Sequence, residues 1–283
     1  MQVVQTIAEV RRYHREQAGS WGLVPTMGFL HAGHISLVER ARQENEHVGV
    51  SIFVNPTQFA PTEDLAAYPR DLERDLRLLA EAGADLVWVP PVTEVYPPGF
   101  QTYVTVEEVT KPLEGASRPT HFRGVATVVA KLFNVFQPER AYFGQKDAQQ
   151  AVVIQQMARD LDFPLEIIIC PIVREPDGLA LSSRNVYLTP EQRAAAPVLN
   201  RALRAARDAW QAGEHDGERL RAIMREVLAA EPLARPDYVS AADPITLQEL
   251  GDASRGVLLS MAVRVGRARL IDNLPLNPVF PSR

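Results

Sequence analysis

Pro25-Thr26-Met27-Gly28-Phe29-Leu30-His31-Ala32-Gly33-His34 follows a short apolar run, Gly22 to Pro25, and leads into a stretch from His34 to Glu44 with apolar residues at helical spacing. A strand that passes through glycines into a helix lets the backbone approach a ligand closely, and the first helical turn offers unpaired N–H groups at the positive end of a dipole. His31 and His34, three residues apart on one face, add two imidazole groups. Two turn histidines without a ligand, or half of a metal site, would present the same pair. Two glycines beside them at a strand-to-helix turn favour a phosphate site, and a metal lacks a third ligand of clear spacing.

Working outward, apolar runs at Val48 to Val54, Asp85 to Val89, Arg140 to Phe143 and Leu165 to Val173 read as further strands. Amphipathic stretches at Asp71 to Glu81, Gly124 to Phe136 and Ala148 to Asp160 read as the crossover helices between them. The amino terminus reads as a short strand followed by an amphipathic helix. Alternation of this kind predicts an α/β fold, a Rossmann-like parallel sheet with helices on both faces. After Arg174 the texture changes through REPDGLALSSRN to an alanine- and arginine-rich helix opened by Pro190, with two or three helices up to Ala230. Strand-like pieces follow at Tyr238 to Ala241, Val257 to Val265 and Ala268 to Ile271, the last two joined by Gly266-Arg267 as a tight hairpin. The division is therefore 1–175, an α/β domain, and 176–283, a smaller C-terminal α+β domain.

Composition narrows the function classes. Hydrophobic residues at 46% and charged residues at 23% are the usual globular mixture, which excludes a disordered or fibrous chain. A net charge of −5 without any basic run disfavours nucleic acid as the main partner. The amino-terminal stretch has charges inside its apolar pattern, so neither a signal peptide nor a membrane span is expected. The single cysteine, Cys170, cannot form an internal disulfide and reads as a buried small hydrophobe, consistent with a cytoplasmic protein. Of 30 basic residues only Lys111, Lys131 and Lys146 are lysines, so each lysine invites a reason.

In an open parallel sheet, ligands gather outside the carboxyl ends of the strands. The strands run there into PTMGFLHAGH, NPTQF, GQKDAQQ and, after a few residues, LALSSRN, so the chemically capable residues collect on one rim. PTMGFLHAGH resembles the HxGH motif of a nucleotidyltransferase superfamily whose histidines contact ATP phosphates. Together with NPTQF, EGASRPTHFRGV, FGQKDAQQ and ALSSRN, in this order and spacing from about Val24 to Tyr187, the chain is similar to the pantothenate synthetase (pantoate–β-alanine ligase) family, and the later RLIDN fits as well. The resemblance implies that ATP and pantoate give pantoyl adenylate and pyrophosphate, after which β-alanine displaces AMP.

Carried onto this chain, the resemblance implies an ATP site lined by Met27, Gly28, Phe29, Leu30, His31, Ala32, Gly33 and His34, with His34 catalytic and His31 beside the phosphates. Gly144, Gln145, Lys146 and Asp147 form a nucleotide segment, with Lys146 on the phosphates and Asp147 near the ribose. Val173 gives a backbone contact to adenine, and Leu181, Ser182, Ser183 and Arg184 a phosphate loop. Gln58 and Gln150 fall on the family's pantoate contacts, Gln58 lying near β-alanine also. The resemblance further implies Mg²⁺ accompanying ATP, with no protein ligands assigned to it, and a homodimer. His31, His34, Lys146 and Arg184 with the helix end would clamp the charge that spreads over phosphoryl oxygens during adenylation. The chain departs from the family pattern at Ala148, where many members carry an aromatic residue.

Other residues have plainer readings. Arg118 and His121 read equally as solvated loop residues or as substrate contacts. Asp71, Asp75 and the charges of DLERDLRLLAEAG read as a solvated helix face. Tyr68-Pro69-Arg70 resembles a family segment near the substrate pocket. Ser182-Ser183-Arg184, beside the Asp177-Gly178 turn, reads as a clasp that closes on ATP. Two other functions share part of the pattern: an HxGH nucleotidyltransferase acting on a phosphorylated acceptor, and a non-catalytic nucleotide sensor. The two glutamines favour a carboxylate acceptor, and the complete His31, His34, Lys146, Ser182, Ser183 and Arg184 set argues for catalysis. A tRNA synthetase-like reading fails on charge and length.

Overall fold

The computed structural model describes residues 1–59, 65 and 68–277, so the last six positions of the 176–283 division lie outside the described residues. By contacts the chain forms two compact units, Met1–Gly144 with Val153–Pro171, and Gln145–Val152 with Ile172–Arg283. Residues 145–152, on the amino-terminal side of position 175, thus group with the second unit.

In the first unit the order is β1 (Gln2–Val4), α1 (Ile7–Glu16), β2 (Trp21–Thr26), α2 (Ala32–Glu44), β3 (His47–Ile52), α3 (Leu72–Glu81), β4 (Leu86–Trp88), α4 (Val92–Val95), α5 (Glu114–Ser117), α6 (His121–Phe136) and β5 (Arg140–Gly144). α7 (Ala148–Asp160) contributes residues to both units, and β6 (Glu166–Cys170) completes the sheet. The six strands run in the order β1-β4-β3-β2-β5-β6, every pair parallel. From β2 the chain steps out to β3 and β4, then returns to β5 and β6 on the other side. β2 and β5 therefore flank the switch point, where a doubly wound sheet opens a crevice at its carboxyl edge.

Alternation along β3 shows why the sheet needs cover on both faces. Val48 and Val50 are fully buried in a cluster with Leu37, Val38 and Ala41 of α2 and Leu79 of α3. Gly49 between them points to the opposite face, where a Cβ would meet the Phe136 ring of α6 at 2.6 Å. Cys170 is buried in the first of these clusters, as its apolar strand suggests, and burial pushes its thiol pKa up.

The second unit packs α8 (Pro190–Ala195), α9 (Val198–Gln211) and α10 (Gly217–Ala229) with the antiparallel sheet β7 (Ala234–Ala242), β8 (Val257–Val265) and β9 (Ala268–Leu276). Leu199, Ala202, Leu203 and Ala206 form the buried stripe of α9, meeting Leu259, Met261 and Val263 of β8 in one core. The hairpin at Gly266-Arg267 pairs Val265 with Ala268. β9 continues five residues past Ile271, through Asp272, Asn273 and Pro275, which on sequence look like breakers. As an edge strand it tolerates the proline, and its polar pair is hydrogen-bonded. No helix among the described residues is long and apolar enough to cross a membrane.

Candidate active site

The two histidines of the β2–α2 turn are built into the start of the helix. His31 is the N-cap, and its Nδ1 accepts the Gly33 N–H at 3.1 Å. His34, at the third helical position, reciprocates: its Nδ1 accepts the His31 N–H at 3.2 Å. This is a capping box made of two imidazoles in place of the usual hydroxyl and carboxylate. The ring centroids lie 4.0 Å apart. A ring whose Nδ1 accepts a hydrogen bond carries its proton on Nε2, so the cap selects the tautomer that presents an Nε2–H donor from each ring.

The loop before the cap is strained and is held from α3. Gly28 and Phe29 both have positive φ, +81° and +52°, and for phenylalanine this conformation costs about 1 kcal/mol or more. The carboxylate of Asp75 accepts the N–H of Phe29 at 2.7 Å and of Leu30 at 2.8 Å. Arg74 donates to the Leu30 carbonyl at 2.9 Å. Asp75 is 1% exposed, so the solvated reading of this helix face is corrected at that position. The helix register explains it: Asp75 lies one turn before the buried Leu79, on the inward face, whereas Asp71 is the exposed N-cap accepting the Arg74 N–H.

Gln58 ends a short turn, Pro56–Gln58, capped by Asn55. Asn55 is saturated. It donates to Gln58 Oε1 at 3.0 Å and to the Gly124 carbonyl at 3.1 Å, while its own oxygen accepts the hydroxyls of Tyr96 at 2.8 Å and Thr57 at 2.9 Å. Burial raises the Tyr96 pKa, which keeps that phenol a donor. Gln58 in turn donates to Met27 Sδ at 3.1 Å, so NPTQF and the histidine loop meet through this amide. The RPTHFRG segment supplies the support: His121 Nδ1 lies 2.9 Å and Arg118 Nη2 3.3 Å from the Gln58 carbonyl. Gly124 lets α6 approach this turn, since a Cβ there would fall 2.4 Å from the Thr57 carbonyl oxygen. Arg118 and His121 are thus not idle loop residues: both hold the backbone of Gln58.

In the second unit, Gln145–Asp147 form a single tight turn before α7. The Lys146 side chain is 16% exposed, with Nζ 3.7 Å from Asp147 Oδ1. Gln150 is half-buried in the first turns of α7, and Ala148 is buried. Val173 opens a hairpin: its carbonyl accepts the Leu181 N–H at 3.0 Å, Arg174 pairs with Ala180, and Gly178 turns the chain with φ +94°. Beyond it Ser182 caps the turn Ser183–Tyr187, accepting the Arg184 N–H at 3.2 Å, and Asn185 donates to the Ala180 carbonyl. Arg184 is exposed. Lys146 and Ser182 line one small cleft with Asn185, Ile271 and Asp272. Met27, His31, His34 and Gln58 are thus gathered in the first unit, and Lys146 and Ser182 in the second.

The profile of the pantoate–β-alanine ligase family matches residues 2–275. The chain belongs to that family. It is an amide-forming ligase that condenses pantoate with β-alanine using ATP. A pantothenate synthetase of Chloroflexus aggregans is 66% identical over 274 residues, 96% of this chain and 99% of the relative, and one of Moorella thermoacetica is 58% identical over 279 residues, 98% and 99%. The crystal structure of pantothenate synthetase from Thermus thermophilus superposes with a TM-score of 0.94 at 53% identity, covering 98% of this chain and all of that one. The Francisella tularensis family member, solved as a complex with β,γ-ATP and β-alanine, gives 0.80 at 35% identity, each chain fully covered. Sequence reasoning did not single out Asn55, Arg74 or Asn273, and it read Asp75 as solvated. Asn55 and Asn273 lay inside quoted motifs, and the inward register of α3 was the signal for Asp75.

Proposed function

We propose that the condensation runs through pantoyl adenylate, with the residues of both units in the roles the family pattern gives them. A pantoate carboxylate oxygen attacks the α-phosphorus of ATP, the bond to the bridging oxygen breaks, and pyrophosphate leaves. The neutral amine of β-alanine then attacks the acyl carbon, AMP departs with the former carboxylate oxygen, and the amine loses a proton as the amide forms. The observation that carries this reading is the histidine capping box, which fixes two Nε2–H donors at the start of α2 where the dipole favours phosphate.

In this reading His31, His34, Lys146 and Arg184 stabilise charge on phosphoryl oxygens, while Met27 to Leu30 with Ala32 and Gly33 bring backbone to the nucleotide. Gly144, Gln145, Asp147, Val173, Leu181, Ser182 and Ser183 complete the nucleotide contacts. Gln58 and Gln150 bind pantoate, their amides offering donors and acceptors without charge. Residues 1–175 serve as the ATP- and pantoate-binding domain and 176–283 as a lid. Mg²⁺ enters with ATP as part of the substrate. It characteristically keeps phosphate oxygens and waters as ligands, and among the described residues no group of three His, Cys, Asp or Glu is arranged to hold a metal ion. The working form is a cytoplasmic homodimer, acting on small molecules and on neither nucleic acid nor membrane; sedimentation tests the dimer.

Support comes from the Francisella relative, solved as a complex with β,γ-ATP and β-alanine. The test is product analysis in an omission series. With ATP, Mg²⁺, pantoate and β-alanine together, AMP, pyrophosphate and pantothenate appear in equal amounts. ADP as the nucleotide product would contradict the reading.

A further inference from the structure

Asparagine is depleted in strands, and a buried amide is costly unless its polar atoms are paired. Asn273 sits inside β9 at 3% exposure, so its presence calls for a partner set. That set is the backbone around Lys146. Asn273 Nδ2 donates to the carbonyls of Gln145 and Lys146, both at 2.9 Å, and its Oδ1 accepts from Gln145 Nε2 at 2.9 Å. Both amide protons and the amide oxygen are engaged with two adjacent residues.

The neighbouring Asp272 faces the other side of the strand. Its carboxylate, in a side chain 2% exposed, takes the Arg174 guanidinium through two bonds of 2.7 and 2.8 Å and also accepts the Asn273 N–H at 2.8 Å. Arg174 donates onward to the Gly178 carbonyl at 3.0 Å, within the hairpin that leads to Ser182. A bidentate pair of this kind has defined geometry. One edge strand therefore holds the Lys146 turn through an amide and the Ser182 hairpin through an ion pair.

We propose that Asn273 is a positioning residue for adenylation: by fixing the Gln145 and Lys146 carbonyls it sets the backbone from which the Lys146 ammonium meets the triphosphate. This rests on the proposed adenylation chemistry. The residue type suits the task. An amide binds carbonyls without bringing charge, whereas a carboxylate at 273 would face two carbonyl oxygens with no proton to donate. Misplacing a catalytic group by even 1 Å from a remote substitution can cost about 100-fold.

A double-mutant cycle on single-turnover adenylation tests it, with ATP and pantoate saturating and β-alanine absent. Asn273→Ala should slow adenylation by about 10- to 100-fold, and Asn273→Ser, which keeps one donor, should fall between it and the parent. In the Lys146→Ala background the same Asn273→Ala change should cost less than about twofold, because the group it positions is gone. Thermal melts identify any variant that does not fold, and the cycle is then run with Asn273→Ser alone. An unchanged rate in the single variants, or an equal loss in both backgrounds, would overturn the positioning role. Absence of pantoate-dependent adenylation in the parent protein would instead refute the functional reading, whatever position 273 carries.

Discussion

Two glycine-bearing segments, Met27–His34 after β2 and Gly144–Asp147 after β5, leave neighbouring parallel strands and are held in opposite ways. The first turns through positive φ at Gly28 and is strained at Phe29, and its N–H groups point to a buried carboxylate, Asp75, while Arg74 takes its carbonyl. The second is an ordinary turn whose carbonyls point to a neutral amide, Asn273. The difference follows from what each segment presents. The loop's Phe29 and Leu30 N–H groups go to the buried carboxylate, while its two imidazoles accept backbone N–H groups through Nδ1. The turn that presents the Lys146 ammonium has the Asp147 carboxylate 3.7 Å from it, and its carbonyls are held by an uncharged amide.

The largest effect expected is at Lys146. Lys146→Ala should slow adenylation by about 100-fold or more, the loss of one preorganised charge-stabilising donor. Lys146→Arg should not restore it, because a planar guanidinium cannot take the place of a compact ammonium on a flexible stem. A single-turnover rate for the arginine variant equal to that of the parent would remove the distinction between the two segments' supports.

Next is Asp75. Asp75→Asn keeps one oxygen acceptor but turns an amide NH₂ toward one of the two loop N–H groups, so one bond becomes a donor–donor clash. It should destabilise the protein by about 1–3 kcal/mol and slow adenylation through the displaced histidine cap. Urea denaturation measures the first and single turnover the second. An asparagine variant as stable and active as the parent would mean that the loop holds its strained conformation unaided.

The contrast also explains what the sequence could disclose. The parallel-sheet pattern and most element bounds follow from apolar period: β8 at Val257–Val265 and α7 at Ala148–Asp160 coincide with the runs that predicted them. Local rules also locate the histidine turn, since strand, glycine and helix start are adjacent in the chain. They say nothing of the supports. Asp75 lies 46 residues from Phe29 and Asn273 lies 128 from Gln145, and each is recognisable only once the fold brings it to its partner. The same locality hid the end of β9, where Asn273 and Pro275 oppose a strand until edge position and hydrogen bonding compensate them. The irregular chain between α4 and α5 carries no periodicity to read, and its service to the site runs through single residues such as Tyr96.

The smallest effect concerns a histidine outside the site. His14 packs on Trp21, with ring centroids 5.1 Å apart, and burial lowers its pKa below the ordinary 6.5, against the opposing pull of Glu139. The folded protein then binds fewer protons there than the unfolded chain, so the stabilisation is complete above the ordinary value and declines as pH falls through it toward the folded pKa. His14→Gln should flatten the slope of stability against pH in that window, while leaving adenylation unchanged. Denaturant melts at about pH 7.5 and about pH 5.5 bracket it; a parent protein that gained stability on acidification there, through this residue, would reverse the assignment.

In the proposed reaction, adenylation precedes amide formation at a phosphate-binding histidine cap. Exchange of labelled pyrophosphate into ATP, measured with Mg²⁺ and no β-alanine, tests it most directly. Exchange should require pantoate and be lost together with the imidazoles in the His31→Ala and His34→Ala variants. Exchange that proceeds without pantoate, or that survives intact in both variants, would contradict it.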